Sequence, residues 1–565
     1  MCGRPGQAHR LRDRGRLECY MRQSHRLVFN VLATYGSQVL EAVVQVFLLR
    51  FVLLRLGSKD YGIFLLAFSL APVMQLIVAG VAKATTRYLA AYLANNETDR
   101  LGTTVSAAVA YCSAAGMAAL AIVLVLRPYA GAFFHLESAE RLREFEASLA
   151  WVAVYAALVF PLSPFLGCIY ARQRYDLASL IQLGNLLLRA GLIVAAFLVW
   201  EPSVRAVAAI TVACEALAQI ACVVVAYRLM PGMKVRPFSV RWRQLRPLMT
   251  FGGYVVGMSL LMMVISQGSK WIAGGLLAAE YISYLAIVMT PMVLARRGVQ
   301  SMTVPMMPVA SKYQTIQRDG LLQELVTRGA RYGFLVSLAV VVGLLALVGP
   351  VLESWLGPEY RFLAPYMAVV LVCLSAAIPA DSADEVLVGM GAVKPAFFVT
   401  LGGMAAAVGL MIGLVKFLDW GFWGLVAGIS AAFLVRGVGL QWLAVVQTRG
   451  SVARFAWRAY GQPLVAAAPA IGLAFWLARE VEVDGWLSIS AIAGAAVAVY
   501  ATLFLLLFVR PEEKRLAAEV LRAGWARLCR PVARSDSASG GESGATGTAW
   551  RTGPDRRSPP ASDES

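Results

Sequence analysis

The sequence predicts an all-α polytopic membrane protein with about fourteen transmembrane helices, and three observations predict it. Of 565 residues, 59% are hydrophobic and only 15% charged, where a soluble domain carries nearer a quarter, and mean hydropathy is +0.66. Apolar runs long enough to cross a roughly 30 Å hydrocarbon layer follow one another almost without pause from residue 31 to residue 509. The loops between them alternate in charge, which is how membrane topology is written into a chain. The net charge of +18 therefore encodes orientation, and no nucleic-acid partner is expected.

In order, residues 1–26 form a basic segment without an apolar run, carrying Arg4, Arg10, Arg12, Arg14, Arg16, Arg22 and Arg26. The long apolar stretch that follows lacks a small-residue cleavage site, so this is not read as a signal peptide; Met21 is a second candidate start. Spans are expected near 31–53, 61–83, 103–126, 148–171, 178–200, 206–228, 248–274, 280–304, 331–352, 363–390, 395–416, 421–446, 461–478 and 486–509, with 363–390 open to being one kinked helix. The loop at 228–247 holds Arg228, Lys234, Arg236, Arg241, Arg243 and Arg246 without an acid, and basic loops recur at 305–330 and 447–460. Loops on the other face are short and acidic, with Glu137, Glu140, Glu144 and Glu146 in one and Glu480, Glu482 and Asp484 in another. Both termini are accordingly expected in the cytoplasm. After Arg510, Leu516, Val520, Leu521, Trp525 and Leu528 share a face suited to the inner membrane surface. From Ser535 the composition predicts disorder.

One passage recurs. Leu56–Leu89 opens with a polar turn, carries Asp60-Tyr61 and then Pro72, and closes on Lys83 and Arg87. The stretch from Gly275 places Glu280-Tyr281 and Pro291 in corresponding positions about 220 residues later. Ten residues before each acid stands a cation, Arg50 in one copy and Lys270 in the other. A cation, an acid-aromatic pair and a proline-broken helix thus repeat as a unit, a common plan for transporter cores.

Enzyme motifs are sparse. There is no GxxxxGK[ST] loop, HExxH or nucleophile elbow, the three histidines (His9, His25, His135) lie outside the spans, and the eight cysteines form no CxxC or Cys/His cluster. No cofactor, metal or catalytic residue is assigned. Charges within helices are costly in lipid and are candidates for function. Glu41 lies mid-span in the first helix with Gln38 and Gln45 on its face, lining a cavity or simply hydrogen-bonding a neighbour. Arg189 and Glu215, mid-span in consecutive helices, are read as a buried structural pair. Arg50 and Lys270 lie toward the outer helix ends, where long side chains can snorkel, yet their matching places favour a function. Arg296 and Arg297, then Asp381, Asp384 and Glu385, then Arg436 fall at similar depth in three helices, in the cytoplasmic third. They form either a salt-bridge network or a gate or ion-coupling site in which arginines hold an anion. The spans at 461–478 and 486–509 carry no charge; they pad the bundle or line an apolar groove for a lipid chain.

The passage RFVLLRLGSKDYGIFLLAFSLAPVMQLIVAGVAKATTRYLA resembles the polysaccharide and oligosaccharide-lipid flippases (O-antigen flippase-like) of the multidrug/oligosaccharidyl-lipid/polysaccharide exporter superfamily. WIAGGLLAAEYISYLAIVMTPMVLARRGVQSMTVPMMP and ESWLGPEYRFLAPYMAVVLV extend the resemblance over roughly residues 27–450. The chain departs from many of those relatives at Gln267-Gly268-Ser269-Lys270, where they carry an acid beside the lysine. The resemblance implies two pseudo-symmetric six-helix lobes around a central cavity (27–228 and 248–446), joined by a basic linker at 229–247. Two added helices (461–509) and a cytoplasmic tail (510–565) complete it. It further implies that a polyprenyl-pyrophosphate-linked oligosaccharide crosses the bacterial inner membrane by alternating access, with membrane lipids, a glycan polymerase and glycosyltransferases as candidate partners. Arg50, Lys83, Lys270, Arg296 and Arg297 are the expected cavity cations. Two rival readings remain: a multidrug cation antiporter of the same superfamily, favoured by Glu41, Asp381, Asp384 and Glu385, and an envelope enzyme or scaffold.

Overall fold

The computed structural model describes residues 40–94, 97–129, 138–172, 174–237, 260, 263, 266–303, 306–481, 483 and 485–509. The expectations for 1–26, for most of 229–265 and for 510–565 lie outside these residues, as does the side chain of Lys83. Every regular element among the described residues is helical, as lipid requires of a chain that must satisfy its backbone within each segment. Helix α1 covers 40–56. Helix α2 comprises Ser58–Phe68 and Leu70–Ala94, α3 is Thr98–Leu126, and α4 runs from Ala139–Val159 through a 3-10 turn into Pro164–Ala171. Helices α5 (Tyr175–Val199) and α6 (Val204–Leu229) follow. Helix α7 is described over 266–276, and α8 is Ala279–Thr303 with Met306–Thr315 beyond it. Then come α9 (Asp319–Leu344, continued by Val348–Leu356), α10 (Ala364–Ala377 and Ala380–Gly389), α11 (Val393–Lys416) and α12 (Gly421–Gln447). Helix α13 joins Val452–Ala456 to Gln462–Glu480 through a π-helical turn, and α14 is Gly485–Leu507.

Twelve of these are long and apolar enough to cross a membrane; α1 and α7 are the described parts of the expected first and seventh spans. The chain is a multi-pass membrane protein. Local chemistry sets several boundaries. Gly57 adopts φ +82° in the α1–α2 turn, a conformation open to glycine at little cost. Ser138 and Ser203 cap α4 and α6 by accepting from the Arg141 and Ala206 amides. Pro72 breaks α2 at Ser69, because its ring clashes with the carbonyl four residues back and removes a donor. The second proline does not repeat this. Helix α8 passes through Pro291 unbroken, so the expected proline-broken helix occurs only in the first copy. The stretch at 363–390 is one bent span, divided where Pro379 interrupts the ladder.

Packing gathers the helices into groups. Helices α2, α3, α4 and α6 enclose a core of small residues, among them Ala71, Ala107, Ala108, Val152 and Ala156. Helices α8, α9, α10 and α12 enclose another around Ala310, Val326, Ala383 and Leu440. Small side chains let backbones close up where lipid offers no hydrophobic drive. Helices α13 and α14 lie against one side of the bundle, packed on each other. They pack on α9, where Leu347 meets Ile489 and Ile492 and the Arg331 guanidinium sits 5.0 Å from the Phe504 ring.

The two groups meet where the recurrent passage begins. The Ser283 hydroxyl donates to the Ser58 carbonyl at 2.6 Å, and a Cβ at Gly62 would overlap the Ala279 carbonyl. These contacts straddle Asp60-Tyr61 on α2 and Glu280-Tyr281 on α8. Deeper along these helices Trp271 Nε1 donates to Ser69 Oγ at 2.8 Å, and Trp355 Nε1 to the Val46 carbonyl at 3.2 Å.

Candidate functional site

Behind this contact, α1, α2, α7, α8, α10 and α12 enclose a cavity of about 570 Å³, within the range of small-ligand sites. Its wall is mostly apolar, with Leu49, Leu65, Met289 and Phe433 among the lining residues. Set into that wall are four cations, Lys270, Arg296, Arg297 and Arg436, and one acid, Asp381.

Two of the cations are spoken for. Arg296 donates through Nε and Nη2 to the two oxygens of Asp381 at 2.8 and 2.9 Å, the bidentate fork that suits a carboxylate. It also lies 5.7 Å from the Phe433 ring. Arg436 donates to Asp384 Oδ2 at 2.8 Å and stands 3.6 Å from Asp381 Oδ1. Gln300 reaches Asp381 Oδ2 at 3.5 Å. The side chain of Arg436 is only 4% exposed and that of Asp381 9%, so each would be expensive to strand without the other. These residues knit α8, α10 and α12 together. Glu385 is half-buried on the same helix as Asp384 and does not line the cavity.

The other two cations are held by amides instead of acids. Lys270 Nζ donates to Gln267 Oε1 at 3.0 Å, one turn back on α7. Arg297 Nη1 donates to Gln45 Oε1 at 3.1 Å, across from α8 to α1. Neither forms an ion pair among the described residues. The cavity therefore carries positive charge that its own wall does not cancel, with Lys270 half-buried and Arg297 exposed.

The remaining expectations are corrected or relocated. Arg50 does not face Lys270 across the cavity; its Nη1 donates to the Ser354 carbonyl at 3.0 Å. The reason is reach more than phase. Arg50 stands one turn beyond Val46, which lines the wall, only about 40° round the helix at about 100° per residue, but its long side chain turns away to the end of α9. Glu41 is half-buried one turn before Gln45 and is also absent from the wall. Arg189 and Glu215 do not pair: Glu215 accepts from Asn185 Nδ2 at 2.7 Å and from Gln219 Nε2 at 3.4 Å. Gln45, noted only as a neighbour of Glu41, and Gln267, noted only for the acid it replaces, hold the two cations left out of the ion pairs, while Gln300 was overlooked, although a glutamine deep in an apolar span is itself a signal.

Similarity to known proteins bears on this arrangement. No protein-family model matches the chain. Its coordinates superpose on the lipid II flippase MurJ in an inward closed conformation with a TM-score of 0.66, covering 86% of this chain and 100% of that one at 11% identity. They superpose on an inward-facing multidrug resistance MATE-family transporter of the MOP superfamily with a TM-score of 0.62, covering 76% and 98% at 13% identity. The chain shares the fold of these two proteins. In sequence, the uncharacterized membrane protein EpsK of Bacillus subtilis (strain 168) is 21% identical over 509 residues, 88% of this chain and 98% of that protein. In this fold the cavity lies between the helix group led by α2 and the group led by α8.

Proposed function

We propose that the protein is a flippase that carries polyprenyl-pyrophosphate-linked oligosaccharide across the cytoplasmic membrane for cell-surface polysaccharide synthesis. The observation that carries this reading is the pair Lys270 and Arg297, cationic and lining the cavity, each held only by a glutamine. A pyrophosphate entering from the cytoplasmic side would exchange water for a charge-assisted donor at Arg297 and, further toward the outer end, at Lys270, while its apolar tail stays in the bilayer. The likeness in fold to a protein named a lipid II flippase points the same way. In the orientation given by the loop charges, the α2–α8 contact closes the outer end, so substrate enters from the cytoplasmic leaflet. Rocking would then break the Ser58–Ser283 and Ser69–Trp271 contacts and present the sugar outside.

A multidrug cation antiporter of the same superfamily is the alternative reading. Its acids would be Asp381 and Asp384, but these are occupied by Arg296 and Arg436, and a cationic drug would have to displace a guanidinium. Reconstitution into vesicles separates the two. The protein should move a fluorescent polyprenyl-pyrophosphate disaccharide between leaflets and should not accumulate ethidium under a proton or sodium gradient. Lys270→Ala and Arg297→Ala should each slow lipid movement by roughly ten- to a hundredfold, the worth of a hydrogen bond to a charged group. Ethidium uptake without lipid movement would overturn the flippase reading.

A further inference from the structure

A second chamber of about 320 Å³ lies on the other side of α1, enclosed by α1, α2, α5 and α6. Gln45 and Leu49 line both it and the larger cavity, so α1 is a shared wall. Among the residues lining this chamber one is charged, Arg189, near the middle of α5. Its guanidinium has no hydrogen bond or ion pair among the described residues, and its Nε is buried without a partner. Arg50, Arg296, Arg297 and Arg436, by contrast, each donate to a protein oxygen. Nor does the nearby acid neutralise it, since Glu215 is taken by Asn185 and Gln219. A cation left unpaired within an apolar span is costly to keep unless something outside the chain completes it.

The rest of the lining says what that partner is. Thr211 donates its hydroxyl proton to the Val207 carbonyl, which leaves its oxygen free to accept. Phe64 and Phe68 present adjoining rings, with centroids 4.6 Å apart. A chamber with one cation, a hydroxyl acceptor and an aromatic wall matches an acidic sugar unit. The carboxylate would meet Arg189 in a bidentate pair, a sugar hydroxyl would meet Thr211, and the apolar C–H face would lie on the electron-rich ring faces. We propose that this chamber is a second anion site, which takes a carboxylate-bearing sugar of the substrate while Lys270 and Arg297 hold its pyrophosphate. The proposal rests on the flippase reading and narrows its substrate to acidic glycans.

The test uses the full-length protein, purified, with Ile193→Cys, a wall residue given no binding role, introduced in a cysteine-depleted background. Free glucuronate should slow conversion of that thiol to a mixed disulfide by a small methanethiosulfonate reagent, which expels methanesulfinate, and glucose at equal concentration should not. Adding Arg189→Ala should raise the glucuronate concentration needed for half-protection by about tenfold or more, and Arg189→Lys should fall between, since charge survives without the fork. Absence of protection, or equal protection in the Arg189→Ala protein, would overturn the site. Protection by sodium chloride as complete as by glucuronate would also overturn it, by assigning the chamber to a free halide. No translocation enters this assay. Its failure removes the second site alone, whereas failure of lipid movement in vesicles removes the flippase reading.

Discussion

Asp381→Ala should destabilise the protein by about 3–5 kcal/mol, the usual consequence of stripping one partner from a buried ion pair. Asp381 receives both arms of Arg296 and stands beside Arg436, so its loss leaves guanidinium charge in an apolar wall. Set against a typical stability of about 5–15 kcal/mol, that is enough to lower the amount of folded protein sharply. The pairing makes a second, more discriminating forecast. Combining Asp381→Ala with Arg296→Met removes both charges and should recover most of the lost melting temperature, because neutral replacements for a buried pair are often tolerated. Arg436 would keep Asp384. A double variant as unstable as Asp381→Ala alone would contradict the pairing.

Gly62→Val should stop translocation while leaving insertion intact. The first atom of any side chain at this position would overlap the Ala279 carbonyl, and backbone cannot step aside as a flexible side chain can. The α2–α8 contact would be held open, and the Ser58–Ser283 bond with it. Ser283 is fully buried, so a Ser283→Cys thiol should react slowly with an impermeant reagent in the parent protein and many times faster once Gly62→Val is added. Unchanged reactivity together with normal translocation would show that the contact does not work as a closure.

Much of the fold was legible in the sequence because lipid leaves few choices. A span must be helical, long and apolar, so Ser58–Val78 and Gly421–Gln447 announce themselves by composition. Depth was legible as well: counting residues from the helix ends placed Arg296, Asp381, Asp384 and Arg436 at one level, and the structure joins them. Azimuth was not. Arg50 and Lys270 occupy matching positions in the recurrent passage, but a duplicated sequence fixes height along a helix more firmly than the direction a long side chain takes. Arg50 turned to the Ser354 carbonyl. Arg189 and Glu215 illustrate the same limit. Similar depth suggested a pair, yet Asn185 and Gln219 reached the carboxylate. Proline was a signal of uneven worth, since Pro72 and Pro379 interrupt their helices while α8 carries Pro291 without a break. The freed carbonyls of a proline site can be re-satisfied by neighbours, and no sequence rule reports whether they are.

The central claim is that Lys270 and Arg297 are cations held ready for a phosphate-bearing lipid. Equilibrium binding to the purified protein, comparing a polyprenyl pyrophosphate with the uncharged polyprenol of equal chain length, tests it most directly. The account predicts that the pyrophosphate binds more tightly, and that Lys270→Ala and Arg297→Ala each weaken it by roughly ten- to a hundredfold while binding of the alcohol is unchanged. Equal affinity for the two lipids, or pyrophosphate affinity unaffected by both substitutions, would contradict it.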